Sequence, residues 1–244
     1  MVTNNVAVYP VSRAYAHKVT PSIKSLMVNT NVDKIILMTE TDELNEYLPA
    51  CVDVMNVSEN RYFSPYSLNA TRSHHAYLCE LRVAFAEFLH YDRVLSLDAD
   101  TLVLRDIGDE PWTLDLEGCH YGGAPERLIS QRRGRPYANA GVLLFDLNRI
   151  RMDKLAIVMV DALNNYSYQW LEQDCLFEHL KLNPLGSEWN ACQFTEPVDD
   201  DKIKIKHFAY DFTWEYDDRF RFYDAMSWNV VEDKWKERRH GKVD

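Results

Sequence analysis

The chain alternates short apolar runs with amphipathic stretches, a pattern that predicts strands and helices in turn. Val6-Ala7-Val8-Tyr9 is an apolar run ended by Pro10, followed by Ser12-Arg13-Ala14-Tyr15 as a loop and by helical spacing over residues 21–28. Lys34-Ile35-Ile36-Leu37-Met38 repeats the arrangement as a buried strand, broken by Thr39-Glu40-Thr41-Asp42, after which residues 43–48 can start a helix. Strand and helix units in series favour a parallel sheet covered by helices. Residues 73–90 place Leu78, Leu81, Phe85, Phe88 and Leu89 at helical spacing, which predicts one long amphipathic helix. Arg82 lies at the edge of that apolar stripe. A guanidinium there either snorkels to the surface or loses water and needs an anionic partner.

The next stretch reads Arg93-Val94-Leu95-Ser96-Leu97, then Asp98-Ala99-Asp100, then Thr101-Leu102-Val103-Leu104. Two acids flanked by an apolar strand are costly to bury unless something pairs with them. In open α/β sheets ligands collect beyond the carboxyl ends of strands, and alternate residues of an extended chain point the same way. The two acids can therefore share one cation, the plainer alternative being an acidic turn. Residues 108–123 carry turn formers, and Arg127, Arg132, Arg133 and Arg135 form a basic loop that is either solvated or holds a phosphate or an anionic acceptor.

Asn139-Ala140-Gly141 puts small residues ahead of the apolar run Val142-Leu143-Leu144-Phe145, where backbone can come close to a ligand. Residues 150–163 read as a helix. Glu172, Gln173 and Asp174 open another, where capping alone would account for them. Ile203-Lys204-Ile205-Lys206-His207 alternates as a half-exposed strand ending in histidine. The terminal stretch, with Lys234, Trp235, Lys236, Arg238 and Arg239, is either a solvated tail or a peripheral contact with an anionic membrane face.

Composition narrows the partners. The 244 residues are 46% apolar, and 27 Lys and Arg stand against 38 Asp and Glu, a formal charge of −11. That balance argues against nucleic acid and for a compact cation or a cation-bridged anion. The five cysteines, Cys51, Cys79, Cys119, Cys175 and Cys192, are an odd number without C-x-x-C spacing, so reduced thiols are expected. No run of eighteen apolar residues occurs and Met1 to Tyr15 lacks a secretory pattern, so a cytoplasmic protein is expected. No linker interrupts residues 1–244, which read as a single domain with halves of about 1–107 and 108–244.

In order and spacing these segments resemble the family 8 glycosyltransferases, the group of glycogenin and the bacterial lipopolysaccharide galactosyltransferases. The resemblance spans roughly Val6 to His207 and is most specific over Tyr91 to Leu104. It implies a GT-A fold: an α/β domain with a single Rossmann-like, mostly parallel mixed sheet flanked by helices. It also implies retaining transfer of a hexose from a nucleotide-diphosphate sugar, a UDP-sugar, with Mn²⁺ or Mg²⁺, to a glycan, lipid-linked or protein acceptor. By the same resemblance Asp98, Asp100 and His207 are metal ligands, and Tyr15 stacks on the uracil with Ser12 and Ala99 nearby. Asn139, Ala140 and Gly141 line the donor sugar, Arg82 reaches the donor, and Glu172, Gln173 and Asp174 lie beside the reacting carbon.

The family's histidine is usually followed by a glycine and a lysine that clamp the diphosphate. Here Phe208-Ala209-Tyr210-Asp211-Phe212-Thr213-Trp214 follows instead, so either the grip comes from elsewhere, with the Arg127 to Arg135 stretch as a candidate, or the donor is bound less tightly. Two other readings stand beside this one. One is a nucleotide-sugar-binding protein with weak catalysis. The other is an aspartyl-phosphate phosphotransferase, whose acidic pattern continues Gly-Thr where this chain has Thr101-Leu102. A homodimer is open on the sequence.

Overall fold

The computed structural model describes residues 4–13, 15–41, 48–63, 76–211 and 214–240. Nine strands run through them: β1 Val6–Pro10, β2 Lys34–Thr39, β3 Val52–Asn56, β4 Arg93–Leu97, β5 Thr101–Val103, β6 Tyr121–Pro125, β7 Ala138–Asp146, β8 Leu182–Pro184 and β9 Ile205–His207. Seven of these form one sheet in the order β3-β2-β1-β4-β7-β6-β8, and β5 pairs with β9 in a separate ribbon. β1 is parallel to both β2 and β4, whereas β7 runs antiparallel to β4 and to β6. The result is the mixed, mostly parallel sheet expected from the sequence.

The apolar runs become strands because both of their faces are covered. Val6, Val8, Ile36 and Met38 point into one core, packed by Phe85, Met159 and Leu163. Ala7, Tyr9, Ile35 and Leu37 point into the other, packed by Ile23, Leu26 and Met27 of helix Thr20–Asn29. Residues one apart on a strand face opposite sides, so a continuous apolar run fills two cores at once. The order of strands reverses between β1 and β4. That reversal opens a crevice beyond the carboxyl ends of the two strands, which places Ser12 and Asp98 at its mouth.

Several expectations need correction. The long helix of residues 73–90 is, in its described part, helix Ala76–Glu80, a 3-10 turn Leu81–Ala84 and helix Phe85–Phe88. The apolar stretch 93–104 is two strands of different sheets, β4 and β5, with the acids in the turn between them. Residues 108–123 run into β6, hidden by Gly122 and Gly123, whose side-chain positions are taken by Leu116 and Leu143. The helix of residues 150–163 is divided into Leu147–Met152 and Leu155–Asn165, with Lys154 at a left-handed φ of 56° between them. The basic loop is mostly helix, Arg127–Arg133.

The terminal stretch is helix Trp228–His240, not a solvated tail. Trp235 Nε1 donates to Val32 O at 2.7 Å, Arg238 Nε donates to Val28 O at 2.7 Å, and Val231 is fully buried. The helix expected over residues 43–48 falls almost wholly outside the described residues. Among the described residues no helix is long and apolar enough to cross a membrane.

Glu80 is the anomaly in this fold. It is fully buried, and among the described residues neither carboxylate oxygen has a hydrogen-bond partner. Burial, and then the nearby Glu172, push its pKa from 4.5 up to about 7. The unfolded chain releases this proton near the ordinary value, so native stability falls as pH rises from about 4.5 to about 7, and the penalty is complete above that. Glu80→Gln removes the ionisation and is expected to stabilise the protein at pH 8 by on the order of 3 kcal/mol. At pH 4.5 little difference is expected. Paired denaturant melts at the two pH values check it, and an equal effect at both would contradict the assignment.

Candidate functional site

β4 ends by delivering Asp98 into a tightly held turn. Asp98 N donates to Gly141 O at 2.9 Å, Thr101 Oγ1 donates to Asp98 O at 2.8 Å, and Phe208 N donates to Asp100 O at 3.0 Å. The ribbon then supplies the third group, because the antiparallel register sets His207 opposite Thr101. His207 Nε2 comes to 3.4 Å from Asp100 Oδ1 and 3.7 Å from Asp98 Oδ2. The three candidate ligand atoms all lie within 4.8 Å of one another.

The imidazole orientation is set from behind. Asn190 Nδ2 donates to Asn139 Oδ1 at 3.0 Å, which leaves Asn190 Oδ1 to accept from His207 Nδ1 at 3.0 Å. Nδ1 therefore carries a proton and Nε2 faces the acids, the arrangement a metal-binding histidine uses. Burial opposes a charge on this ring, but Asp100, then Cys192 and then Asp98 raise its pKa to about 10. Asp100 is in turn held low by His207 against the effect of its own burial. Gly141 makes room for the ring: a Cβ there would stand 2.0 Å from His207 Cε1. Two carboxylates and one imidazole around a space shaped by glycine fit a hard divalent cation, Mn²⁺ or Mg²⁺.

Arg82 is buried, with 2% of its surface exposed. Its Nη2 donates to Asp98 Oδ1, its Nη1 to Glu172 Oε1 at 2.8 Å and its Nε to Ser96 Oγ at 3.2 Å. The anionic partners that its desolvation demanded are thus both present. Burial pushes the Glu172 carboxyl up, and Arg82 works against that shift.

The neighbouring groups have structural ties of their own. Gln173 Oε1 accepts from Ala140 N at 2.8 Å and its Nε2 donates to Glu126 Oε1 at 3.1 Å. Asp174 Oδ1 accepts from Arg133 Nη2 at 2.8 Å and from Tyr137 OH at 3.0 Å, and its Oδ2 accepts from Trp170 N at 2.9 Å.

Two cavities of about 260 Å³ each adjoin these groups. The first is lined by Ser12, Tyr15, Asp98, Ala99 and Asp100, with Tyr210 and Trp214. The second is lined by Glu126, Asn139, Trp170, Gln173, Phe194 and again Tyr210. Larger cavities of about 490 and 510 Å³ lie around Met55 and Tyr62 and around His90 and Arg93, away from the ligand cluster.

Tyr210 has a φ of 58°, a left-handed conformation that favours glycine. The backbone after His207 thus keeps a glycine-like turn with a tyrosine in it. Among the described residues, no lysine or arginine lines the first cavity. Of the arginine stretch considered for the diphosphate grip, Arg127 and Arg132 border the second cavity. Ser96, Glu126, Asn190 and Tyr210 went unread as site residues. Ser96, a polar side chain inside an apolar strand, was the one visible signal.

The family model described as Glycosyl transferase family 8 matches residues 7–209. The fold is similar to that of the glycosyltransferase GlyE of Streptococcus pneumoniae, with a TM-score of 0.69 and 19% identity over 97% of this chain and 64% of GlyE. It is also similar to the galactosyltransferase LgtC solved with donor and acceptor sugar analogs, with a TM-score of 0.63 and 19% identity over 94% of this chain and 99% of LgtC. Mouse xyloside xylosyltransferase 1 follows with a TM-score of 0.59 and 16% identity over 85% of this chain and 98% of its own. The chain thus spans less than two thirds of GlyE. No curated protein sequence matches it.

Gly141→Ala is expected to fold but to drive the His207 ring away from Asp98 and Asp100. Thermal melts with and without Mn²⁺ check this: the wild-type protein should be stabilised by the ion and the variant should not. An equal Mn²⁺ response in both proteins would show that the ring position does not matter.

Proposed function

Because the chain belongs to glycosyl transferase family 8, we propose that it moves a hexose from a UDP-sugar to a hydroxyl of a glycan acceptor with retention of configuration. In this reading Asp98, Asp100 and His207 hold a divalent cation, Mn²⁺ with Mg²⁺ as a substitute. The observation that carries the reading is the meeting of these three side chains at the carboxyl end of β4, beside a cavity flanked by Tyr15 and Ser12. When bound there, the cation neutralises the charge that develops on the departing diphosphate.

The chain's own residues divide the remaining work. Tyr15 offers an aromatic face to the base. Arg82 takes one oxygen of Asp98 and leaves the other toward His207, so the carboxylate is oriented before any ligand arrives. Glu172 is bound to Arg82, Asp174 to Arg133 and Tyr137, and Gln173 offers only a neutral amide oxygen already bonded to Ala140 N. None of the three is placed as a free nucleophile. This favours attack on the same face as departure, with the leaving phosphate taking the acceptor proton. The second cavity, which shares Tyr210 with the first, then receives the donor sugar at Asn139 and Gln173 and the acceptor along Arg127, Arg132 and Trp170.

A second reading, a nucleotide-sugar-binding protein with little turnover, is favoured by the lack of lysine and arginine among the described residues that line the first cavity. Hydrolysis of UDP-hexoses with Mn²⁺ and no acceptor separates the two. Asp100→Asn is expected to cut this turnover by roughly a hundredfold or more while the melting temperature without metal changes little. Turnover that persists undiminished in the variant, or in the wild-type protein in EDTA, would refute the metal-dependent reading.

A further inference from the structure

The second cavity carries a charge asymmetry, with Glu126 on one part of its wall and arginines on another. Four arginines lie between residues 127 and 135, and the fold treats them in pairs. Arg133 donates to Asp174 at 2.8 Å, and Arg135 donates to Phe177 O at 2.6 Å with its guanidinium 3.8 Å from the Phe177 ring centre. This pair fastens helix Arg127–Arg133 and the turn after it to helix Leu171–His179. The other pair, Arg127 and Arg132, lines the cavity. Arg127 has a carboxylate neighbour only at 4.0 Å, the exposed Glu196, and Arg132 has none among the described residues.

The rest of the wall is complementary to a sugar. Trp170, Phe194 and Tyr210 border the same space, and aromatic faces pack against the C–H face of a pyranose ring. Tyr210 stands edge-on to Phe194 with ring centres 5.6 Å apart. Glu126, only 7% exposed and held by Asn139 and Gln173, marks the inner end as an acceptor of hydroxyl protons that repels anions. A neutral sugar would be served by the aromatics and Glu126 alone. Two guanidiniums at the exposed end, in a chain of net charge −11, add a planar, donor-rich match to a phosphate or carboxylate.

We propose that this cavity selects an acceptor glycan that carries an anionic group, with a sugar ring against Tyr210 and Phe194, a hydroxyl toward Glu126 and the anion on Arg127 and Arg132. Calling the occupant an acceptor rests on the glycosyl-transfer reading; the preference for an anion rests on the cavity alone.

The test uses one neutral disaccharide, its phosphate ester and its uronic acid form, each measured both as an acceptor in transfer and as a ligand by titration calorimetry. An anionic form should bind about tenfold more tightly than the neutral one, and the advantage should shrink as salt is raised. Arg127→Ala with Arg132→Ala should remove that advantage and leave the affinity for the neutral sugar close to wild type. The paired lysine variant should keep part of it. Preference for the phosphate, the uronate or both supports the proposal and identifies the source of the anion. Equal binding of all three sugars, or a preference that survives in the alanine variant, overturns it. Hydrolysis of the UDP-sugar without acceptor is read separately, so failure of transfer chemistry leaves the calorimetric answer intact.

Discussion

The buried guanidinium of Arg82 is the constraint on which the site depends. It joins β4, through Ser96 and Asp98, to helix Leu171–His179, through Glu172. Without it, Asp98 and Glu172 would face each other as like charges in a poorly solvated space, and leaving such groups uncompensated costs about 3–5 kcal/mol. The ion triad also has a directional consequence. Asp98 Oδ1 is taken by Arg82, so Oδ2 is the oxygen turned to His207. A residue that reads as structural glue is therefore also what aims a ligand atom.

A second chain of contacts meets the first from the neighbouring strand β7. The segment Asn139-Ala140-Gly141 at the start of β7 gives its Asn139 side chain to Glu126 and Asn190, its Ala140 N–H to Gln173 and its Gly141 carbonyl to Asp98. Through Asn190 the same segment sets the orientation of His207. Three consecutive small or polar residues thus couple the ligand cluster to both cavities. Bulk at Gly141 is transmitted, because a Cβ there has no room beside the His207 ring.

The parts of this arrangement legible in the sequence share one property: local pattern decided them. β1, β2, β4 and the inner part of β7 were apolar runs, and Arg82 was marked by the cost of placing a guanidinium beside an apolar stripe. β6 escaped because its glycines, which read as turn formers, are small to admit Leu116, Leu143 and Leu185. Asp98 and Asp100 were read in one strand; they lie in a turn between sheets, where alternation no longer fixes their directions. Asn190 and Glu126 depend on partners 17 and 47 residues away in sequence, a separation that no local periodicity encodes. The resemblance reached His207, but only the β5–β9 register explains why it arrives beside Asp100.

Tyr210 shows how a departure from a pattern can be informative in itself. A non-glycine residue at φ 58° is strained by on the order of 1–3 kcal/mol, and such strain persists only where surrounding contacts fix the backbone. Here Gln193 Nε2 donates to Ala209 O at 3.0 Å, and the Phe194 ring abuts Tyr210. The turn that a glycine would make freely is kept, and a ring that glycine lacks is added at the junction of the two cavities. That ring is 66% exposed, so hydrophobic burial does not account for its position. A ligand that spans the two cavities meets Tyr210 at their common wall. The chain thereby places an aromatic partition in a glycine-like turn, at a point that carries none of the candidate ligand groups Asp98, Asp100 and His207.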